Sequence, residues 1–173
     1  MWRIGMWGLA LAAGWIMSAG FGWTNAAPLT STVLGKIHHS NLKEAELGGL
    51  AQRYGHSQEA RELGRTVADE RTASDQKIVS LASAELIDLP SHTVPLRPGE
   101  TAGIPTTTTD FDLVIARIIF DDAEQELTEE SAARDDTGDD RLRALIDERI
   151  PLLRAHRDAA KKIADVGGPL SSR

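Results

Sequence analysis

The chain of 173 residues has no cysteine. This excludes disulfides, a cysteine-ligated zinc centre, thiol catalysis and a lipid-modified N-terminal cysteine. Aromatic residues are scarce, and all four tryptophans and all three methionines fall in the first 23 positions. Beyond Trp23 the aromatics are Tyr54, Phe111 and Phe120, so a core there must be built from Leu, Ile, Val and Ala. Basic charge is also short: 19 Lys+Arg stand against 26 Asp+Glu, a formal charge of −7, and no basic cluster exists to neutralise phosphates. Nucleic-acid binding is excluded on that ground. No repeat recurs at a solenoid period.

The compositional break at Trp23 divides the chain. Arg3 supplies a short positive start, residues 4–23 form an uncharged apolar run, and Thr24-Asn25-Ala26-Ala27 offers the small residues a signal peptidase needs. Residues 1–26 therefore read as a signal peptide, cleaved after Ala26 because cleavage one residue later would leave Pro28 first. Residues 27–173 read as a periplasmic domain. The alternative is an inner-membrane anchor through residues 4–23, since about 20 apolar residues span a bilayer. The five glycines in that run count against it.

From Thr32 onward apolar residues recur at steps of three and four, without the alternation of a half-buried strand. The spacing predicts four helices, at about 32–54, 58–86, 110–134 and 140–166. Gly55-His56-Ser57 separates the first pair and Asp135-Asp136-Thr137-Gly138-Asp139 the second. Asp112 is placed to complete a capping box for the third helix. Residues 88–109 hold four prolines and the run Thr106–Thr109, the composition of an extended linker. The fold class is an all-α four-helix bundle with a long connection between the second and third helices. Such a linker can run the length of a bundle, as in single-crossover ferritin-like folds, and an up-down connection is also open.

The inward stripes carry polar groups. In the fourth helix Leu142, Leu145, Arg149, Leu152, His156, Ala159 and Ile163 follow a heptad seam. The first helix puts Asn41 and Glu44 on a stripe with Ile37, Gly48 and Ala51. The second aligns Arg71 and Ser74 with Ala60, Gly64, Val67, Ile78 and Leu81, and on the third Asp122 lies at the boundary. Asn41, Glu44, Arg71, Asp122, Arg149 and His156 are thus expected to form one structural polar layer of paired charges. The alternative is a metal site of Glu44, Asp122 and His156, because di-iron bundles use inward Glu and Glu-x-x-His. No Glu-x-x-His occurs here, and an inward Arg71 would repel a cation.

Other motifs are weaker. His38-His39 point about 100° apart on a helix and are expected to be an exposed pair. The acidic run 135–140 lacks EF-hand spacing. No serine sits in a nucleophile turn of Gly-x-Ser-x-Gly type. Pro151 should kink or break the fourth helix.

The string Ser40-Asn41-Leu42-Lys43-Glu44-Ala45-Glu46-Leu47-Gly48-Gly49-Leu50-Ala51 resembles the opening motif of a bacterial exported family, domain of unknown function 4142. Ile150-Pro151-Leu152-Leu153-Arg154-Ala155-His156, with Ala159-Ala160, is similar to that family's closing motif. The resemblance covers about residues 32–165 and implies an exported ferritin-like bundle without an assigned activity. This chain departs from the pattern at Glu70-Arg71, where the family commonly has Asp-His, and at Asp122, where a His is common. His156 is left as the only inward histidine. The expectation is a non-enzymatic envelope protein, stress-related or partner-binding, with no cofactor and with another envelope protein or a small ligand as partner.

Overall fold

The computed structural model describes residues 26–90 and 110–166, with side chains from Leu29 onward. The expected signal residues 1–25 and most of the expected linker lie outside the described residues. Four helices form an all-α bundle: α1 (Ala26–Tyr54), α2 (Gln58–Ala84), α3 (Phe111–Asp136) and α4 (Asp140–Val166). No described helix is long and apolar enough to cross a membrane.

The helix ends follow local chemistry. α1 begins at Ala26, six residues before the expected Thr32, and Pro28 falls in its first turn, where a missing N–H breaks no bond. The Ser57 side chain accepts from Ala60 N at 3.1 Å and caps α2. α2 stops at Ala84, short of the expected Leu86. Ile87 N donates to Ala82 O at 2.8 Å, and Leu86 takes a left-handed φ of 57° to allow it. Asp139 accepts from Arg141 N at 2.9 Å and so caps α4. Asp112 makes no capping box. Its carboxylate reaches across to accept from the backbone N–H groups of His56 and Ser57, at 2.8 and 2.7 Å. α4 is continuous through Pro151, so of the expected kink or break the break does not occur.

α1 and α2 pack antiparallel and almost backbone to backbone. A Cβ on Gly48 would lie 2.6 Å from Gly64 O, and one on Gly64 would lie 2.5 Å from Gln52 N. Lys36, Ser40 and Lys43 on α1 meet Glu129, Glu126 and Asp122 on α3, so those helices are also antiparallel. α2 and α3 therefore run parallel, and an up-down connection is ruled out. The linker leaves α2 at Pro90, whose carbonyl bonds His38, and its far end at Asp110 adjoins the α1–α2 turn. His38 and His56 are separated by about 27 Å along α1 at 1.5 Å per residue.

Two apolar cores fill the bundle. Around Val33, Leu34, Ile37, Ile78, Leu142 and Ile146 one core closes the end nearest the linker's start. The other gathers Leu47, Val67, Phe111, Ile115, Ile119 and Ala160 toward the α1–α2 turn. In α4 the buried positions are Leu142, Ile146, Arg149, Leu153, His156, Ala160 and Ala164. This corrects the expected seam: Leu145, Leu152, Ala159 and Ile163 sit one residue round the helix. Leu152, Ala159 and Ile163 line the opening between α4 and α2, and Leu152 is exposed.

The two kinds of glycine predict opposite outcomes in urea denaturation. Gly64→Ala should destabilise by about 1–3 kcal/mol, because a backbone atom blocks the added methyl. Gly35→Ala, with nothing within 4 Å, should stabilise by about 0.5–1 kcal/mol.

Candidate functional site

Between the two cores lies a layer of charge organised by Arg149. Its guanidinium is almost wholly buried and offers five N–H donors. Nε donates to Glu130 at 3.0 Å, and Nη2 donates to Glu130 at 2.8 Å and to Glu126 at 3.1 Å. Nη1 donates to Asn41 Oδ1 at 2.8 Å and to Ser74 Oγ. Every donor is used, and the acceptors come from α1, α2 and α3. Arg71 makes the second centre: Nη1 donates to Glu126 at 2.8 Å, and Nη2 lies 2.6 Å from Glu44 Oε2. The Ser40 hydroxyl completes the shell of Glu126.

Glu44, Glu126 and Glu130 oppose only Arg71 and Arg149, so one carboxylate is in excess. Burial pushes the Glu44 carboxyl well above its ordinary range; Arg71 opposes this, and the proximity of Glu126 adds to it. Apart from its ion pair with Arg71 Nη2, the Glu44 carboxyl has no hydrogen-bond partner. As an acid it can donate to Glu126, which leaves two anions facing two cations. Glu126 moves the other way. Burial acts to raise it, but the Glu44 hydrogen bond, Arg71, Ser40 and Arg149 together hold it at about 2. Burial also raises Glu130, against the pull of Arg149.

The layer brings together Asn41, Glu44, Arg71 and Arg149 from the expected set. Asp122 is a correction: its side chain is 22 % exposed and pairs with Lys43 at 3.1 Å, at the flank of the layer. Glu126 and Glu130 hold the interior positions instead, because the α3 ladder Phe111, Ile115, Ile119, Ala123 continues to them in steps of three and four. His156 is buried about two turns along α4 from Arg149. Its Nε2 lies 2.7 Å from Glu70 Oε2, and its Nδ1 is buried without a partner. Burial and Arg71 lower its pKa, while Glu70 opposes them. The imidazole is therefore neutral, with the proton on Nε2 facing Glu70.

Glu44, Asp122 and His156 do not meet as a metal site. Among the described residues no three His, Asp or Glu side chains could hold an ion together. The expected exposed pair His38-His39 also divides. His39 is exposed, whereas His38 is buried, with Nδ1 2.7 Å from Asp75 Oδ1 and Nε2 3.2 Å from Pro90 O.

Beside the layer, α2 and α4 part to leave a groove of about 780 Å³, closed at one end by the start of α3. Thr66 and Glu70 stand on its α2 side, and Ala155, Ala159 and Ile163 on its α4 side. His156 and Glu70 connect this groove to the charged interior. Its size is that of a small-molecule site.

Residues 23–163 match the family model described as Domain of unknown function (DUF4142). No curated protein and no solved structure matches the chain.

Two glutamates in contact should respond oppositely to the same change. Glu126 is depressed, so its contribution is complete above the ordinary 4.5 and is lost as pH falls toward about 2. Glu44 is raised, so its contribution is complete below 4.5 and is lost as pH rises. In urea melts at neutral pH, Glu126→Gln should destabilise by about 2–4 kcal/mol. Glu44→Gln should be at least as stable as the parent at neutral pH and lose that advantage in acid. Arg149→Met, which leaves Glu130 buried and unpaired, should cost about 3–5 kcal/mol.

Proposed function

The chain belongs to the domain of unknown function 4142 family, and from that premise we propose that it is an exported, non-enzymatic protein of the bacterial cell envelope that works by binding. The observation that carries this reading is the division of labour within the bundle. Its reactive groups are taken up by one another in the buried layer, and the large open concavity is the groove between α2 and α4. A catalytic role needs an acid, base or nucleophile that meets a substrate. Arg149, Glu130 and Glu126 instead meet each other, and their bonds fix the helices that form the groove walls. Export is supported by the tryptophan-rich apolar start followed by Ala26-Ala27. The parallel α2 and α3, joined by one long connection, support a ferritin-like ancestry.

The envelope fraction of cells making the full chain should yield a protein whose N-terminal sequence starts at Ala27 and whose absorbance lacks a tryptophan band. An intact Trp2–Trp23 segment on a cytoplasmic protein would overturn the export reading. The neutral apolar dye Nile red should bind the purified protein saturably at one per chain. Ala155→Trp, at an exposed groove position, should abolish that binding without changing Tm. Dye that does not saturate, or that ignores the substitution, would overturn the binding role.

A further inference from the structure

The groove is unequal from wall to wall, and the inequality specifies a ligand. Along α4, Ala155, Ala159, Ile163 and Val166 line it, spanning about 16 Å of helix, and Val166 is 90 % exposed. Leu63 and Leu113 add apolar surface from α2 and α3. The α2 wall presents Glu59, Glu62 and Glu70, and Asp110 stands at the entry to α3. Glu59, Glu62 and Asp110 have no ion pair among the described residues, and Lys162 is the one cation among the lining residues. Glu59 lies in the first turn of α2, where it also complements the helix end. Glu62 and Glu70 lie further along, beyond that influence.

The acidic wall is more than a solvated helix face because it borders a concave apolar surface. A cation held there would be partly desolvated, and attraction to a carboxylate strengthens as water is excluded. At the inner end Glu70 is oriented by His156, whose Nε2 lies 2.7 Å from Glu70 Oε2. Acceptors therefore outnumber donors along the groove. The donors are Lys162 and the hydroxyls of Ser57 and Thr66. A carboxylate or phosphate ligand would face repulsion from five acidic side chains, Glu59, Glu62, Glu70, Asp110 and Asp112, against the single cation Lys162, whereas an organic ammonium would be opposed by Lys162 alone.

We propose that the groove between α2 and α4 binds an alkylammonium-type ligand, its hydrocarbon lying along Ala155, Ala159 and Ile163 and its cationic nitrogen held by Glu62 and Glu70. The site deepens the binding role proposed above and rests on it. The volume, about 780 Å³, suits a single lipophilic amine. Hydrocarbon burial supplies affinity in proportion to chain length, and the carboxylates supply the choice of charge.

Calorimetric titration of the purified full chain with octylammonium, octanol and octanoate tests the assignment. Octylammonium should bind one per chain, at least about tenfold more tightly than octanol, and octanoate should not bind. The variant Glu62→Gln removes one of the two carboxylates assigned to the nitrogen, at an exposed position. Its preference for octylammonium over octanol should fall at least about threefold while Tm and Nile red binding are kept. Ala155→Trp should remove octylammonium binding altogether. Equal affinity for octylammonium and octanol would overturn the choice of a cation and leave the binding role standing. Octylammonium binding that persists in Ala155→Trp would place the amine elsewhere on the acidic surface and overturn the site. Failure of all three probes together with Nile red would overturn both readings.

Discussion

A guanidinium cannot be left bare inside a protein, and the bundle is arranged around meeting that demand at Arg149. Desolvating a charge costs several kcal/mol, which is recovered only when partners with the right geometry surround it. Arg149 obtains them from three other helices: Asn41 from α1, Ser74 from α2, Glu126 and Glu130 from α3. Sliding any helix by one turn, about 5.4 Å, would strand at least one of these groups. Leucine, isoleucine and alanine surfaces alone fix register loosely, since one aliphatic contact replaces another with little penalty. The polar layer supplies the specificity that the two flanking cores lack.

The same requirement explains the charge states. Three interior carboxyls and two guanidiniums do not balance, and burial together with the nearby Glu126 raises the Glu44 carboxyl, which favours its neutral form. Glu126 can then be the strongest anion in the layer, touched by both arginines. Lys43–Asp122 and His156–Glu70 form outer pairs that separate this interior from water. Glu70 belongs to two environments at once, since it also lines the open groove.

Much of this was legible from residue order. Gly55-His56-Ser57 and the turn before Asp140 marked helix ends, and the stripes through Asn41, Glu44, Arg71 and Arg149 put polar side chains on apolar faces. α3 was harder. Its second half carries Glu124, Glu126, Glu129 and Glu130 within seven positions, and composition cannot say which of them turn inward. The reading that put Asp122 at the boundary chose the wrong position: the buried ladder through Ile115, Ile119 and Ala123 leads to Glu126 and Glu130 instead. Two inward arginines were the signal that more than one further carboxylate had to face them. His38 was missed because its partners, Asp75 and the Pro90 carbonyl, lie on α2 and beyond its end. The α4 seam slipped because a strict heptad suits a two-helix interface, whereas here α4 also borders the groove.

The close approach at Gly48 and Gly64 has a mechanical consequence. α1 and α2 meet with backbone against backbone, so this hairpin behaves as a stiff plate. By contrast α2 and α4 touch mainly through side chains such as Glu70–His156 and Lys77–Glu148. The two hairpins are thus joined through side chains, with Arg149 on α4 bonded to both α1 and α2, and the space between α2 and α4 is bounded by side chains rather than by a backbone contact.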